Sequence, residues 1–208
     1  MSSAAEMIVT PVTLTGKLVQ LEPMTEAHCE ELAEVALEPS IWRWMPVKVE
    51  TASQLRQWMT QALAQATAGR VLPWVSRSLA DGRLVGSTRF MDIDTRNRGL
   101  EIGSTWVAPA WQRSGLNVEA KLLQLTHAFE TMGAIRVALK THHENQRSQT
   151  AIAALGATRE GVFRNHMIQP DGSIRHTVWF SITREEWPGV REKLEARLHV
   201  PHPGQQKA

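Results

Sequence analysis

Tyrosine is missing from the 208 residues, and cysteine occurs once, at Cys29. Without tyrosine the chain has no phenol to lend as a proton donor. With one thiol it can close no internal disulfide, which suits a reducing compartment. No run approaches the ~20 consecutive apolar residues that a membrane-spanning helix requires. Met1 to Val12 shows no basic stretch followed by an apolar core, so no secretion signal and a cytoplasmic location are expected. Charge of either sign is also scarce in net terms. The formal balance is +2, so no bulk field recruits nucleic acid or an acidic membrane. The pI of 9.0 reflects only that small excess. Internal repeats and interdomain linkers are lacking too. What is present, 42% hydrophobic and 21% charged residues, fits one globular core. One domain over 13–199 is expected, with 1–12 and 200–208 as flexible termini.

The pattern along the chain predicts alternating element types. Leu14 to Leu21 alternates apolar and polar residues around Gly16 and predicts a first strand. Thr25 can cap a helix running from Glu26 to about Leu37, which Pro39 ends. Ile41 to Pro46 reads as an ordered loop and Ala52 to Ala68 as a second amphipathic helix. Trp74–Leu79 and Leu84–Ile93 form a hairpin about Asp81-Gly82, and Leu100–Val107 follows as a third strand of that meander. From Gly115 to about Met132 the leucines recur at helical spacing, up to Gly133. Then come a strand (Ile135–Thr141), a short helix (Ser148–Leu155), a hairpin (Ala157–Met167 and Ile174–Thr183) and a charged helix (about Pro188–Leu198). A strand, a long helix and a strand in the middle predict a βαβ crossover, hence an α+β domain with a mixed sheet of about seven strands layered between helices.

Eight tryptophans make an uneven aromatic complement. Trp42, Trp44 and Trp58 fall in one stretch, Trp106 and Trp111 in another. Core filling is one reading, and an aromatic wall around a substrate is the other.

The most informative segment is Gln112-Arg113-Ser114-Gly115-Leu116-Asn117, between a strand and the long helix. A helix N-terminus carries unpaired N–H groups and about +0.5 of an elementary charge. Gly115 permits close backbone approach, and Arg113 adds a cation. That combination suits a pyrophosphate. Alone, a glutamine, two spacers and a glycine describe many ordinary strand-to-helix turns. A second segment, Asn145-Gln146-Arg147-Ser148 with Gly156 beyond, follows in order.

Together these two segments resemble the GNAT superfamily of N-acetyltransferases, and within it the branch of ribosomal-protein alanine N-acetyltransferases. The resemblance runs from Leu14 to Ile182. It implies splayed central strands and acetyl-coenzyme A as co-substrate. It implies cofactor contacts from Trp106 and Val107 on the strand, and from Gln112, Arg113, Ser114, Gly115, Leu116 and Asn117 around the pyrophosphate. Asn145 would contact the pantetheine arm, and Ser148 would lie near the sulfur. Asn117 replaces the family's usual second glycine or alanine. Asn145 is equally readable as a helix N-cap, and the two roles are compatible.

Acetyl transfer to an amine requires a neutral nucleophile, a stabilised oxyanion and a proton for the leaving thiolate. A lysine amine costs roughly 4–5 kcal/mol to neutralise at pH 7, an α-amine only about 1. Glu101, eleven residues before Gln112, occupies the place of a catalytic glutamate in several GNAT enzymes. The alternative is a strand-edge carboxylate paired with a cation such as Arg98. The family's tyrosine acid corresponds to Ile152, so the resemblance offers the Ser148 hydroxyl instead; the alternative is a serine that merely starts a helix. A further glutamate proposed in that branch falls on Met167 and is missing.

His142, His143, His166 and His176 lie near the expected cleft. Adjacent His142 and His143 should point apart on a strand, and no cysteine joins them, so no metal is expected. A single histidine base, His166 above all, suits the imidazole pKa near 6.5. Arg164 and Arg175 on the same hairpin could orient an acidic substrate or simply be solvated. Trp42, Trp44 and Met45 are the expected acceptor wall. A peptide N-terminus, an amino acid, a polyamine and a drug all remain open as acceptors. Dimers are frequent in the family, which raises a homodimer. A catalytically degenerate acyl-coenzyme A sensor is the competing function. A nucleotide-binding module is excluded, because no lysine–serine or lysine–threonine pair follows the turn and no acidic residue is set to read a ribose.

Overall fold

The protein is described by a computed structural model over residues 7–199; the outer tails, 1–6 and 200–208, lie outside the described residues. The elements run β1 (Leu14–Thr15), β2 (Val19–Pro23), α1 (Cys29–Ala36), α2 (Pro39–Trp42), α3 (Ala52–Thr67), β3 (Leu72–Ser78), β4 (Leu84–Asp94), β5 (Gly99–Val107), α4 (Leu116–Thr126), β6 (Arg136–His142), α5 (Gln146–Ala153), β7 (Thr158–Ile168), β8 (Ile174–Thr183) and α6 (Trp187–His199). All eight strands form one sheet in the order β1-β2-β3-β4-β5-β6-β8-β7. Neighbours pair antiparallel except β5 and β6, which the α4 crossover makes parallel.

Two apolar layers sandwich the sheet. On one face α4 and α6 cover Leu21, Trp74, Phe90, Leu100, Ile102 and Val137. On the other, α1 and α3 cover Val75, Leu84 and Trp106 with Leu32, Leu55 and Met59. α3 starts as the sequence predicts, with Thr51 and Gln54 forming a reciprocal capping box. The supposed loop after Pro39 contains one helical turn, because Pro39 stands at its first position and the Glu38 carboxylate accepts the Ser40 N–H.

The expected first strand is two strands, which brings the sheet to eight. The cause lies a hundred residues away. The buried carboxylate of Glu119, in the first turn of α4, accepts the N–H groups of Lys17 (2.8 Å), Leu18 (2.6 Å) and Val19 (2.9 Å). Those amides therefore leave the ladder, and the chain doubles back at Gly16 to pair Leu14 with Leu21. Packing also begins earlier than the expected boundary at residue 13. Met7 is buried in the core, and the Val12 carbonyl accepts the Trp74 indole N–H at 2.7 Å.

Lys121 of α4 is equally unusual. Its fully buried amine donates to Thr105 Oγ1 (2.8 Å), Gln124 Oε1 (2.8 Å) and Thr88 Oγ1 (3.0 Å), all neutral. This ties α4 to β4 and β5 at the bulge on β5, where Ser104 takes φ 46°.

Candidate functional site

The central strands separate because their pairing stops. β5 and β6 are in register from Gly99–Arg136 to Ile102–Leu139, and no further. Beyond, Gly103–Val107 pair only with β4, and Lys140–His142 only with β8. A wedge opens between them, with the inner edge of β5 around Trp106 and Val107 unpaired on that side. The extra residue at the bulge reverses the alternation. Leu100, Ile102 and Thr105 face α4, whereas Glu101, Gly103 and Trp106 face the α3 side.

The start of α4 stands at the mouth of this wedge. Arg113 (φ 63°) and Gly115 (φ 87°) are both left-handed, so successive amides turn toward a common point. Two side chains hold the turn. Gln112 Nε2 donates to the Val107 carbonyl at 2.9 Å, and Ser114 Oγ donates to the Trp111 carbonyl at 2.7 Å. Gln112 Oε1 also accepts Arg147 Nη1 at 3.0 Å, a bridge across the wedge to α5. Asn145 caps α5, its Oδ1 accepting the Ser148 N–H at 3.1 Å, which leaves the Ser148 hydroxyl outside the cap. Ile152 is buried in the core and offers no polar group. Amides of alternating hand, the exposed Arg113 and the nearby Arg147 form a cradle that fits a diphosphate.

Glu101 lies deeper, only 5% exposed. Its partner is Lys140 on β6, not Arg98, and Lys140 also reaches Asp92 at 3.1 Å. Burial pushes the Glu101 pKa up to about 7, Lys140 pulling it down and Asp92 adding to the rise. A Cβ on Gly103 would lie 2.8 Å from Glu101 Oε1 and 2.8 Å from Met91 Sδ, so only glycine leaves the carboxylate this position.

The helix–loop region and the β7–β8 hairpin meet beside the end of β6. The Trp44 ring lies 4.9 Å from His142, and its carbonyl accepts Arg175 Nη1 at 3.2 Å. Trp42 is buried, its indole N–H donated to the Ala36 carbonyl at 2.7 Å. It backs a cavity of about 200 Å³ shared with Met45, Val49 and Gln169. His166 on β7 is exposed, with Nδ1 3.0 Å from Thr177 Oγ1. Partial burial, with the charges of Lys140 and Arg175, holds its pKa below the usual imidazole range. His142 and His143 do not diverge as expected. β6 ends at His142, the chain turns, and the two rings stack at 4.6 Å.

Sequence reasoning missed three cations, of which Lys121 and Arg89 are buried and Lys140 is partly buried. Lys140 and Lys121 carried no motif. Arg89 was visible only as a charge in the middle of an apolar strand, between Thr88 and Phe90. No described helix is long and apolar enough to cross a membrane.

Against known sequences, the family described as acetyltransferase (GNAT) domain matches residues 19–158. The chain belongs to that family. It is 31% identical over 113 residues to YdaF of Bacillus subtilis, named as a candidate ribosomal N-acetyltransferase, covering 54% of this chain and 61% of that one. It is 26% identical over 187 residues to the FsC-acetyl coenzyme A-N(2)-transacetylase of Aspergillus fumigatus, covering 84% of this chain and 77% of that one. Among solved structures, an acetyltransferase candidate from T. thermophilus superposes with a TM-score of 0.83 at 35% identity, over 93% of this chain and all (100%) of that one. RimJ of Mycobacterium smegmatis, solved with CoA-disulfide, does so with 0.76 at 25% identity, over 90% and 95% of the two chains. The domain is therefore an acetyltransferase of the GNAT type, and such enzymes use acetyl-coenzyme A.

Gly115 is the point at which this GNAT turn is most sensitive. A β-branched side chain at φ 87° is strained, and it would tilt the amides away from their common focus. Gly115→Val is expected to weaken coenzyme A binding at least tenfold by calorimetry, while the melting midpoint shows that the fold persists.

Proposed function

We propose that this domain moves an acetyl group from acetyl-coenzyme A directly onto a primary amine, within a ternary complex. The observation that carries the reading is the wedge: strand pairing ends at Ile102–Leu139, and the amide-lined start of α4 stands at its mouth. Coenzyme A would be held by the amides of Arg113 to Asn117, by the unpaired edge of β5 at Trp106 and Val107, and by Asn145. It supplies an acyl group activated as a thioester.

The chain's own groups then have separate tasks. The Glu101 carboxylate takes the amine's proton, directly or through a water, and its raised pKa suits work near neutrality. Lys140 holds that carboxylate in the wedge. The Ser148 hydroxyl, left outside the α5 cap, would be the donor of a hydrogen bond toward the departing sulfur. Trp44 and His166 border the acceptor, with Trp42 behind them. Relatives named for ribosomal acceptors and for a transacetylase support an amine acceptor, either a protein N-terminus or a small molecule.

One observation favours a second reading, an acyl-coenzyme A sensor without turnover. Apolar Ile152 fills the position of the family's usual acid. Incubating the purified protein with acetyl-coenzyme A and an amine panel separates the two. Turnover releases free thiol and yields acetylated product by mass spectrometry; a sensor binds the coenzyme and releases none.

A further inference from the structure

Arg89 is a buried charged group for which the fold supplies no hydrogen-bond partner among the described residues. It sits mid-way along β4 and is only 5% exposed, yet its Nε and Nη2 have no hydrogen-bond partner. Its guanidinium lies 4.0 Å over the Trp58 ring of α3, a cation–π contact that uses the face of the group and leaves the edge free. Among the described residues no carboxylate balances it. Glu101, on the same face of the neighbouring strand, is held by Lys140 from the opposite side of β5. A guanidinium keeps its proton at neutral pH, so the domain buries a whole positive charge without a counter-ion.

The unsatisfied atoms have a shape. Nε–H and Nη2–H lie on one side of the guanidinium and form the side-on fork that grips both oxygens of a carboxylate. The fork's position is also specific. Arg89 pairs across the ladder with Gly103, over which the Glu101 carboxylate rests. Trp106, on the same face, contributes another buried N–H without a partner. The diphosphate cradle lies beyond Val107, past the end of β5, whereas Gly103 is at the middle of that strand, so the coenzyme's phosphates do not account for a fork beside Gly103.

We infer that Arg89 is the anion-reading residue of the acceptor site, and that the preferred acceptor is a primary amine carrying a carboxylate. The inference rests on the acetyl-transfer reading for the amine, but anion binding by the fork can be tested without turnover. Both atoms are closed to solvent in this fold, so docking the carboxylate on Nε and Nη2 of Arg89 requires the α3 side to yield around it, and it directs the amine end toward Glu101. A lysine here would supply charge without the fork, and a glutamine neither.

The test uses acetylated product analogues of two lengths, N-acetylglycine and 4-acetamidobutyrate, each beside its neutral amide. Calorimetric titration is done on the protein saturated with coenzyme A, for the native chain, Arg89→Lys and Arg89→Gln. The native chain should bind at least one acid tenfold or more tightly than its amide. Arg89→Gln should erase that preference while leaving amide binding unaltered, and Arg89→Lys should retain only part of it. Equal affinity of acid and amide in the native chain, no binding of either acid, or a preference that survives in Arg89→Gln overturns the inference. Because a buried unpaired charge is removed, Arg89→Gln should melt no lower than the native chain. Should it fail to fold, the native acid-to-amide ratio and Arg89→Lys still decide. If the amine panel gives no turnover but the acid preference holds and depends on Arg89, the transfer reading fails and the anion site stands.

Discussion

Glu101→Gln is expected to lower kcat/KM for amine acetylation by about a hundredfold, the ordinary contribution of a general base. Its effect on the pH profile is more diagnostic. Burial raises the Glu101 pKa to about 7, against the pull of Lys140 and with a push from Asp92, and Arg175 also feels its charge. The working form is the carboxylate. With each rate divided by the fraction of the amine that is neutral at that pH, activity of the native chain should therefore climb as pH rises through about 7 and then level off. Gln at 101 is nearly isosteric but does not titrate, so the climb should vanish along with most of the rate. Lys140→Met removes the charge that favours the carboxylate, and should move the climb to higher pH without abolishing it. Initial rates from about pH 5.5 to 9, with the coenzyme saturating, check all three. A Glu101→Gln profile that keeps the native shape and height would remove this residue from the chemistry.

Glu119→Ala should cost more stability than any other single truncation outside the apolar core. One buried carboxylate satisfies three consecutive amides, and deleting it strands all of them. At about 1–3 kcal/mol for each unsatisfied buried group, partly relieved by water at the surface-facing Lys17, a loss of about 3–4 kcal/mol is expected. For a chain of this size that is a fall of about 10 °C in melting midpoint. Gly16→Ala attacks the same clamp from the other side, since a Cβ there would lie 2.3 Å from Glu119 Oε2. The two changes break one interaction, so the double variant should be little worse than Glu119→Ala alone. Urea unfolding of the three proteins measures this directly. Additive losses would mean that Gly16 and Glu119 act independently.

These effects also mark where the sequence was readable. The meander, the crossover and the last hairpin announce themselves through period-two and helical spacing, because local burial patterns decide them. The start of α4 was readable for the same reason, since Gly115 and the residues about it act through backbone geometry. The split of the first strand was not. It depends on a carboxylate about a hundred positions away, and no window of sequence contains both partners. Glu101 is singled out by its position before Gln112, but the only partner the sequence suggests for it, in the alternative reading, is a cation such as Arg98. Lys140 comes alongside only through the parallel register of β5 with β6. Arg89 was passed over because a charge in a strand is usually solvated, and only burial shows that its fork has nothing to hold. Trp42 is core by burial, and it also lines a cavity with Met45, Val49 and Gln169.

The neutral cage around Lys121 has a consequence for proton balance. Burial pushes that amine down to about 7, whereas an unfolded lysine titrates near 10.4. Between those values the unfolded chain carries the extra proton, so Lys121 makes folding more favourable as solutions become alkaline. Glu101 works in the opposite window. Its folded value near 7 lies above the ordinary 4.5 of a glutamate, so its contribution to stability fades as pH climbs from about 4.5 to 7. The two curves meet at a trough close to neutrality. There the molecule holds one group on the verge of losing a proton on each side of its central strands, and the conditions that ready the wedge for chemistry are those in which these two groups favour the folded state least.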